Sequence, residues 1–167
     1  MPAELTSGPL VVGAVFELYQ GDLDVGRVAL ERLAHVDLGE VVALEDLSYG
    51  AVAVAQRLQE LAPRALVLIG AERRHGRAPG TIERRELETS TLSPEDVQRA
   101  VRDAVTGYVG IELVIAVAHG LGALPKRVVA VEIEPAQVEP GAQLSPEALA
   151  GLERALELVR AAVRDLR

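Results

Sequence analysis

The sequence predicts an α/β protein, a three-layer αβα sandwich around a mostly parallel sheet of about five strands with one antiparallel edge strand. Short apolar runs rich in β-branched residues alternate along the chain with segments whose apolar residues recur at helical spacing. This alternation is typical of a parallel sheet, because its crossover connections place helices on both faces. The chain shows no composition break or internal repeat, so we expect one domain over residues 1–167.

The first half of the chain predicts three strands and two helices. The run at residues 10–15 is too short for a helix and indicates a buried strand. Apolar residues at helical spacing predict a helix over 25–33, with Asp22 or Asp24 placed to cap its first turn. The following predicted elements are a strand over 41–44, a helix over 51–61 that ends before Pro63, and a strand over 65–69.

The second half predicts two strands and three helices. Residues 81–87 alternate only weakly between apolar and polar side chains, which favours a less buried edge strand. Ser93 and Pro94 are typical of a helix start. Residues 111–118 are apolar around most of a helix and therefore predict a core helix. A last strand over 127–133 and a closing helix that begins after Ser145 complete the prediction.

Charge and composition exclude several classes of function. The chain has 17 Lys and Arg against 25 Asp and Glu, a net charge of −8, which argues against binding nucleic acid or an anionic membrane. It has no Cys, so disulfides, thiolate metal sites and Cys nucleophiles are excluded. No apolar stretch approaches the length of a membrane span, and the first residues lack the pattern of a signal peptide. We therefore expect a cytoplasmic protein.

Ligands of open α/β sheets bind at the carboxyl ends of the strands, so the loops after the first three strands are the places to search. These loops are acidic, and carboxylates that converge from neighbouring loops can hold a divalent metal, although loop carboxylates more often are solvated helix caps. The sequence contains no nucleophile elbow and no glycine-rich phosphate loop. The candidate side chains are Glu17, Asp22 and Asp24 in the first loop, Glu45 and Asp46 in the second, and Glu72 and His75 in the third.

Six short motifs follow one another in order along nearly the whole chain. They are Gly21–Gly26 on the end of G-x-G-N-x-L-x-x-D-[DE]-x-x-G, Glu45–Gly50 on D-G-G-T-x-G, Leu68–Ala71 on the strand end V-D-A, Ala78–Thr81 on P-G-T, Gly110, Ile111 and Pro125 on H-x-x-G-L and G-x-x-P, and Val131–Pro135 with Leu144–Pro146 on the closing strand and L-S-P. In this order and at this spacing they resemble the hydrogenase maturation endopeptidases. Proteins of this family recognise nickel and remove the C-terminal extension of the large subunit of [NiFe] hydrogenases.

The departures from the family pattern fall on its metal site. The resemblance implies an acidic ligand in the first loop, an Asp at the end of the third strand and a His near the start of the buried helix. The corresponding residues are Leu23, Gly70 and Gly107. Because leucine has no donor atom and glycine has no side chain, none of the three can bind a metal through its side chain. Asp22, Asp24 and Glu72 remain as weak candidate ligands.

Two hypotheses on protein substrates or partners follow from this ligand set. The first is a proteolytically inactive relative that binds a hydrogenase large-subunit precursor or an assembly factor through its acidic loops. The second is an active nickel-dependent endopeptidase whose ligands are displaced, with nickel as the metal it recognises. The surface expected to meet a partner or ligand contains Glu17, Tyr19, Glu45, Tyr49 and Tyr108.

A third hypothesis is a small-ligand binding domain. The only Phe and all three Tyr fall in or beside the motif loops, where they would line a more apolar site than a metal cleft needs. These residues are Phe16, Tyr19, Tyr49 and Tyr108.

Overall fold

Strands and helices alternate along the chain as the sequence predicts. The computed structural model describes residues 8–89, 92–103, 110–141 and 143–167. The strands are β1 (Leu10–Ala14), β2 (Val42–Asp46), β3 (Ala65–Ala71), β4 (Ile82–Glu88) and β5 (Arg127–Ile133). The helices are α1 (Val25–Leu33), α2 (Ala51–Leu61), α3 (Pro94–Asp103), α4 (Ile111–Gly120) and α5 (Pro146–Asp165), and a short 3₁₀ helix at Gly21–Asp24 precedes α1. Each predicted strand and helix is confirmed, with ends that differ by a few residues.

The strands form one mixed sheet in the order β2-β1-β3-β5-β4. All neighbours are parallel except β4 and β5, which pair antiparallel and place β4 at an edge. The mostly parallel sheet with an antiparallel edge strand is therefore confirmed. In the parallel register Ala14 lies opposite Asp46 on one side and Ile69 on the other. The loops after β1, β2 and β3 consequently leave the sheet at one edge, which we call the carboxyl edge.

Two apolar cores lie on opposite faces of the sheet, as expected for three layers. One core joins alternate strand residues to α1 and α5, and includes Leu10, Val12, Leu33, Leu152 and Val159. The other joins the intervening strand residues to α2 and α4, and includes Val11, Leu58, Leu66, Ile111 and Val128. Alternation along a strand explains the division, because successive side chains point to opposite faces.

The capping prediction for α1 is wrong in detail. Asp24 occupies the N-cap position of α1, but its side chain makes no capping hydrogen bond. The side chain of Asp22 is directed to a distant loop instead, as described below. By contrast, Ser145 caps α5 as predicted, since its Oγ accepts a hydrogen bond from the backbone N–H of Ala148 at 3.1 Å.

The structure also tests the membrane prediction for the residues that it describes. Among these residues, no helix combines the length and the apolar character needed to span a bilayer.

Candidate functional site

The described candidate residues of the first and third loops lie at the carboxyl edge, after β1 and β3. Glu45 and Asp46 were expected in the loop after the second strand, but they form the last two residues of β2, because that strand pairs with β1 as far as Asp46. The first loop residues remain attached to the sheet. Val15 donates its N–H to the carbonyl of Ile69 at 2.9 Å, and Leu47 donates its N–H to the carbonyl of Ala14 at 2.9 Å. The loops therefore begin from fixed positions, and their side chains depend on contacts made further along.

Asp22 is a buried anchor for the loop between β5 and α5. Its carboxylate accepts hydrogen bonds from the N–H groups of Ala136 at 2.8 Å, Gln137 at 3.1 Å and Ser145 at 2.8 Å, and from the hydroxyl of Ser145 at 2.6 Å. Burial opposes ionisation, but these hydrogen bonds outweigh it and lower the pKa of Asp22. The carboxylate oxygens are thus occupied by donors of the chain itself.

Asp24 is fully buried beside α1. Its Oδ2 accepts hydrogen bonds from Nε of Arg27 at 2.9 Å and lies 2.8 Å from Nη2 of the same guanidinium. Its Oδ1 is buried and has no hydrogen-bond partner among the described residues. An unpaired oxygen on a buried carboxylate is costly, so Asp24 is the candidate ligand with an unused donor atom.

Glu72 follows β3 and lies against the start of α4. One of its oxygens accepts a hydrogen bond from the backbone N–H of Glu112 at 3.4 Å. Burial, together with the nearby carboxylates of Glu132 and Glu112, raises the pKa of Glu72 to about 7. Glu72 therefore gains and loses its proton near neutral pH, unlike an ordinary surface glutamate.

The positions that hold the metal in the resembling family do not fit a metal ion here. Leu23 is buried in the core shared by α1 and α5. A Cβ added to Gly70 would lie far inside van der Waals contact with the carbonyl oxygen of Val15, and a Cβ on Gly26 would lie 2.5 Å from that same oxygen. The Val15 carbonyl thus fills the space that a side chain at position 70 needs. Gly107 lies outside the described residues.

The weak candidate ligands do not replace the lost ones. Within the ranges that the structure describes, no group of three His, Cys, Asp or Glu side chains could hold a metal ion. Asp22 is bound to the β5–α5 loop, Asp24 to Arg27, and Glu72 to the start of α4. The donor set therefore does not fit a resident nickel site, and we derive no chemical step through one.

The residues proposed for a partner or ligand surface fall into exposed and paired groups. Tyr19 and Tyr49 are exposed, whereas Glu17 is half-buried. Glu45 is paired with Arg57, whose Nη2 lies 2.8 Å from one carboxylate oxygen and whose Nε lies 3.2 Å from the other. Phe16 is buried in the core shared by α1 and α5, which separates it from the exposed tyrosines. Tyr108 lies outside the described residues.

Sequence reasoning missed a buried ionic cluster around Glu132. This fully buried carboxylate accepts hydrogen bonds from Arg74 at 2.7 and 3.0 Å, from Arg77 at 2.9 Å and from Arg85 at 2.9 Å. Burial opposes its ionisation, but the three arginines outweigh burial and lower the pKa of Glu132. The signal was present, because Glu132 is an acid at an inward position of an apolar strand, and such a charge needs partners.

The arginines of this cluster tie the β3–β4 loop to the sheet and to α4. Arg74 and Arg85 also contact Glu112 on α4 at 3.2 and 3.1 Å. Arg77 donates to the backbone carbonyl of Glu72 at 2.5 Å. Because these contacts attach the β3–β4 loop to both the sheet and α4, Glu72 is held at a fixed place on the carboxyl edge.

The solved structures with similar folds include maturation proteases of hydrogenases. The hydrogenase maturating endopeptidase HybD from E. coli is 21% identical with a TM-score of 0.72, over 94% of this chain and 93% of that one. A hydrogenase 2 maturation peptidase from a Thaumarchaeota archaeon is 24% identical with a TM-score of 0.67, over 93% and 97% of the two chains. The [NiFe] hydrogenase maturation protease HycI from Thermococcus kodakarensis is 16% identical with a TM-score of 0.65, over 95% and 94%.

The sequence comparisons add no further relative. No protein-family model matches the chain. No curated protein matches it significantly. The similarity to the solved structures therefore concerns the fold alone. It confirms the fold that the motif resemblance implied.

Proposed function

We propose that this protein is a proteolytically inactive relative of the hydrogenase maturation endopeptidases that binds a protein of [NiFe] hydrogenase assembly at its carboxyl edge. The observation that carries the proposal is the position of the Val15 carbonyl between Gly26 and Gly70. The Val15 carbonyl occupies the space that an aspartate side chain at position 70 would need. The metal-recognition site that the resemblance implies is therefore blocked by backbone, and it also lacks the expected ligand side chains. The partner that fits this proposal is a large-subunit precursor or an assembly factor.

Three features support the proposal that the protein has the fold of these endopeptidases without their proteolytic activity. Leu23 packs in the core at the place of an acidic ligand. Asp22, one of the acidic residues of the first loop, is fully engaged in holding the β5–α5 loop. The segments that follow β1 and β2 still present exposed side chains to solvent. The proposal also includes a cytoplasmic location, and it keeps residues 1–167 as a single domain.

An active endopeptidase with displaced ligands is the second candidate. The observation in its favour is Asp24, whose buried Oδ1 lacks a partner among the described residues. Glu72 would be the second ligand to test, because it lies on the carboxyl edge and titrates near neutral pH. A displaced site that used these residues would need further donors from the partner or from water.

A cleavage and binding assay separates the two candidates. A purified [NiFe] hydrogenase large-subunit precursor loaded with nickel is incubated with this protein, and the mass of the precursor is followed by mass spectrometry. We expect an intact precursor together with a complex on size-exclusion chromatography. A maturation endopeptidase incubated with its own precursor provides the positive control. Loss of the C-terminal extension in the presence of this protein would overturn the proposal of inactivity.

Nickel titration by calorimetry tests the ligand set directly. The natural protein is compared with Asp24→Asn and Glu72→Gln variants, which keep the volume of both side chains. We expect no stoichiometric nickel binding in any of them. Stoichiometric binding by the natural protein that disappears in either variant would favour the second candidate and identify its ligand. Asp22 is left intact because its replacement would loosen the β5–α5 loop.

A further inference from the structure

Large apolar side chains are exposed in the segments that follow β1 and β2. Leu18 and Tyr19 lie in the loop after β1, and Tyr49 and Val52 lie after β2, at the start of α2. Their exposed fractions are 54%, 57%, 50% and 57%. Because β1 and β2 are parallel neighbours, both segments leave the sheet side by side at the carboxyl edge. We call these four residues the tyrosine surface.

Tyr19 is held in its exposed position by the surrounding structure. Its φ is +57°, in the left-handed region that non-glycine residues rarely adopt because their Cβ is crowded there. Its carbonyl accepts the N–H of Gly141 at 2.8 Å, which fixes the backbone. The guanidinium of Arg27 lies 6.0 Å from the centre of its ring. A strained, exposed and fixed aromatic ring is the kind of residue that anchors protein interfaces.

The support behind the Tyr19 ring is itself fixed. Arg27 is bound to the buried carboxylate of Asp24 and also donates to Glu31 at 2.9 Å. A ring ordered before binding loses little further conformational freedom when a partner covers it. Tyr19 therefore contributes its area to binding at a lower entropic cost than a mobile side chain.

The charge beside the tyrosine surface is negative. Glu17 precedes Leu18, and Asp46 ends β2, and neither carboxylate has an ion-pair partner among the described residues. Glu45, next to Asp46, is already paired with Arg57. A complementary partner consequently presents an apolar side chain flanked by basic residues.

We propose that the tyrosine surface is the docking site for a protein segment that carries an apolar side chain beside Lys or Arg. The inference rests on the proposed function, under which this segment belongs to the large-subunit precursor. Tyr19 and Tyr49 supply most of the contact area, and Glu17 and Asp46 pair with the basic residues. This assigns the partner contact to the β1 and β2 side of the carboxyl edge, away from the ionic cluster at Glu132.

The test measures the dissociation constant of the purified large-subunit precursor for a Tyr19→Gly, Tyr49→Ala variant. Glycine suits the positive φ at position 19, so the variant removes the ring without adding strain. The control variant is Val41→Ala, Leu121→Ala, whose residues are 60% and 48% exposed and lie near the other ends of the strands. We expect at least about tenfold weaker binding for the tyrosine variant and a change under about twofold for the control.

A second variant, Glu17→Gln with Asp46→Asn, tests the charge. We expect it to weaken binding and to make the dissociation constant less sensitive to added salt. Unchanged binding by the tyrosine variant, or an equal loss in the control variant, would overturn the docking assignment while leaving the proposed function intact. Failure of the natural protein to bind the precursor would overturn both. Thermal unfolding of each variant checks that it is folded.

Discussion

At the scale of single residues, Asp22 shows how an acid in a candidate site can serve the fold. Its carboxylate accepts hydrogen bonds from three backbone N–H groups and one hydroxyl, and it joins residues more than a hundred positions apart. Asp22 and Asp24 are two residues apart, yet only Asp24 retains a buried oxygen without a partner among the described residues. Their positions in the sequence therefore did not distinguish a carboxylate whose oxygens are all engaged from one that keeps an oxygen without a partner.

Asp22→Asn tests the structural role. The NH₂ donor of asparagine would face backbone N–H groups that now donate hydrogen bonds to the carboxylate. Because a donor cannot accept these hydrogen bonds, we expect the free energy of unfolding to fall by about 2–3 kcal/mol. Urea unfolding followed by circular dichroism measures the change. Asp37→Asn is the control, because exposed Asp37 accepts a single N–H from Gly39. Equal effects of the two substitutions would contradict the role assigned to Asp22.

Glu72→Gln is expected to change how stability depends on pH. Because the pKa of Glu72 is raised to about 7 from 4.5 in the unfolded chain, its contribution to stability is fully present below pH 4.5 and is lost as pH rises through 7. Glutamine has no proton to lose in this pH range. The free energy of unfolding of the variant should therefore rise relative to that of the natural protein between pH 5 and pH 8, by an amount on the order of 3 kcal/mol.

Urea unfolding of both proteins at the two pH values measures the difference. Glu31→Gln, at an exposed glutamate on α1, serves as the reference. A stability difference between Glu72→Gln and the natural protein that is the same at both pH values would show that Glu72 titrates normally.

At the scale of elements, the backbone that follows β1 restricts which residue types fit near the end of β3. The Val15 carbonyl lies against both Gly26 at the start of α1 and Gly70 in β3. Close approach of backbone to backbone requires glycine at these positions, because any Cβ would overlap the carbonyl. The close packing of β1 against α1 and β3 thus requires glycine at position 70. The same packing explains why the aspartate that the resemblance implies is absent there.

Gly70→Ala should therefore destabilise the protein by at least about 2 kcal/mol, since the Val15 segment must shift to admit a methyl group. The control is Gly122→Ala, where the φ of +67° is unfavourable for alanine but open space surrounds the position. We expect a cost of about 1 kcal/mol there. Denaturant unfolding of both variants gives the comparison, and a smaller cost at Gly70 than at Gly122 would mean that the backbone contact is not tight.

At the scale of the whole molecule, the two cores share their strands. β1, β3 and β5 contribute alternate side chains to the core with α1 and α5 and to the core with α2 and α4. One face cannot lose its order while the strands remain fixed for the other. We therefore predict one cooperative unfolding transition for residues 1–167.

Far-ultraviolet circular dichroism and tyrosine fluorescence, recorded on the same urea series, test this prediction. We expect the two probes to give coincident curves, unchanged over a range of protein concentrations. Separated midpoints would indicate two independently stable units and would contradict the single-domain prediction.

The sequence by itself determined the order and type of the elements and the loss of the expected ligands. Strand and helix periodicity are local properties that burial imposes on every few residues, so the runs at 10–15 and 111–118 could be interpreted without coordinates. The identities of Leu23 and Gly70 likewise exclude side-chain ligation, because donor atoms belong to the residue type.

Only the tertiary structure decided which acids are free and which are bound. Asp22 meets Ser145 across 123 residues, and Glu132 meets Arg74 across 58, through contacts that no local pattern encodes. The wedge of the Val15 carbonyl between Gly26 and Gly70 and the fixed, strained Tyr19 arise in the same way. Hydrogen bonds and close packing between distant segments depend on how the whole chain is assembled, and for that reason no local pattern of the sequence predicts them.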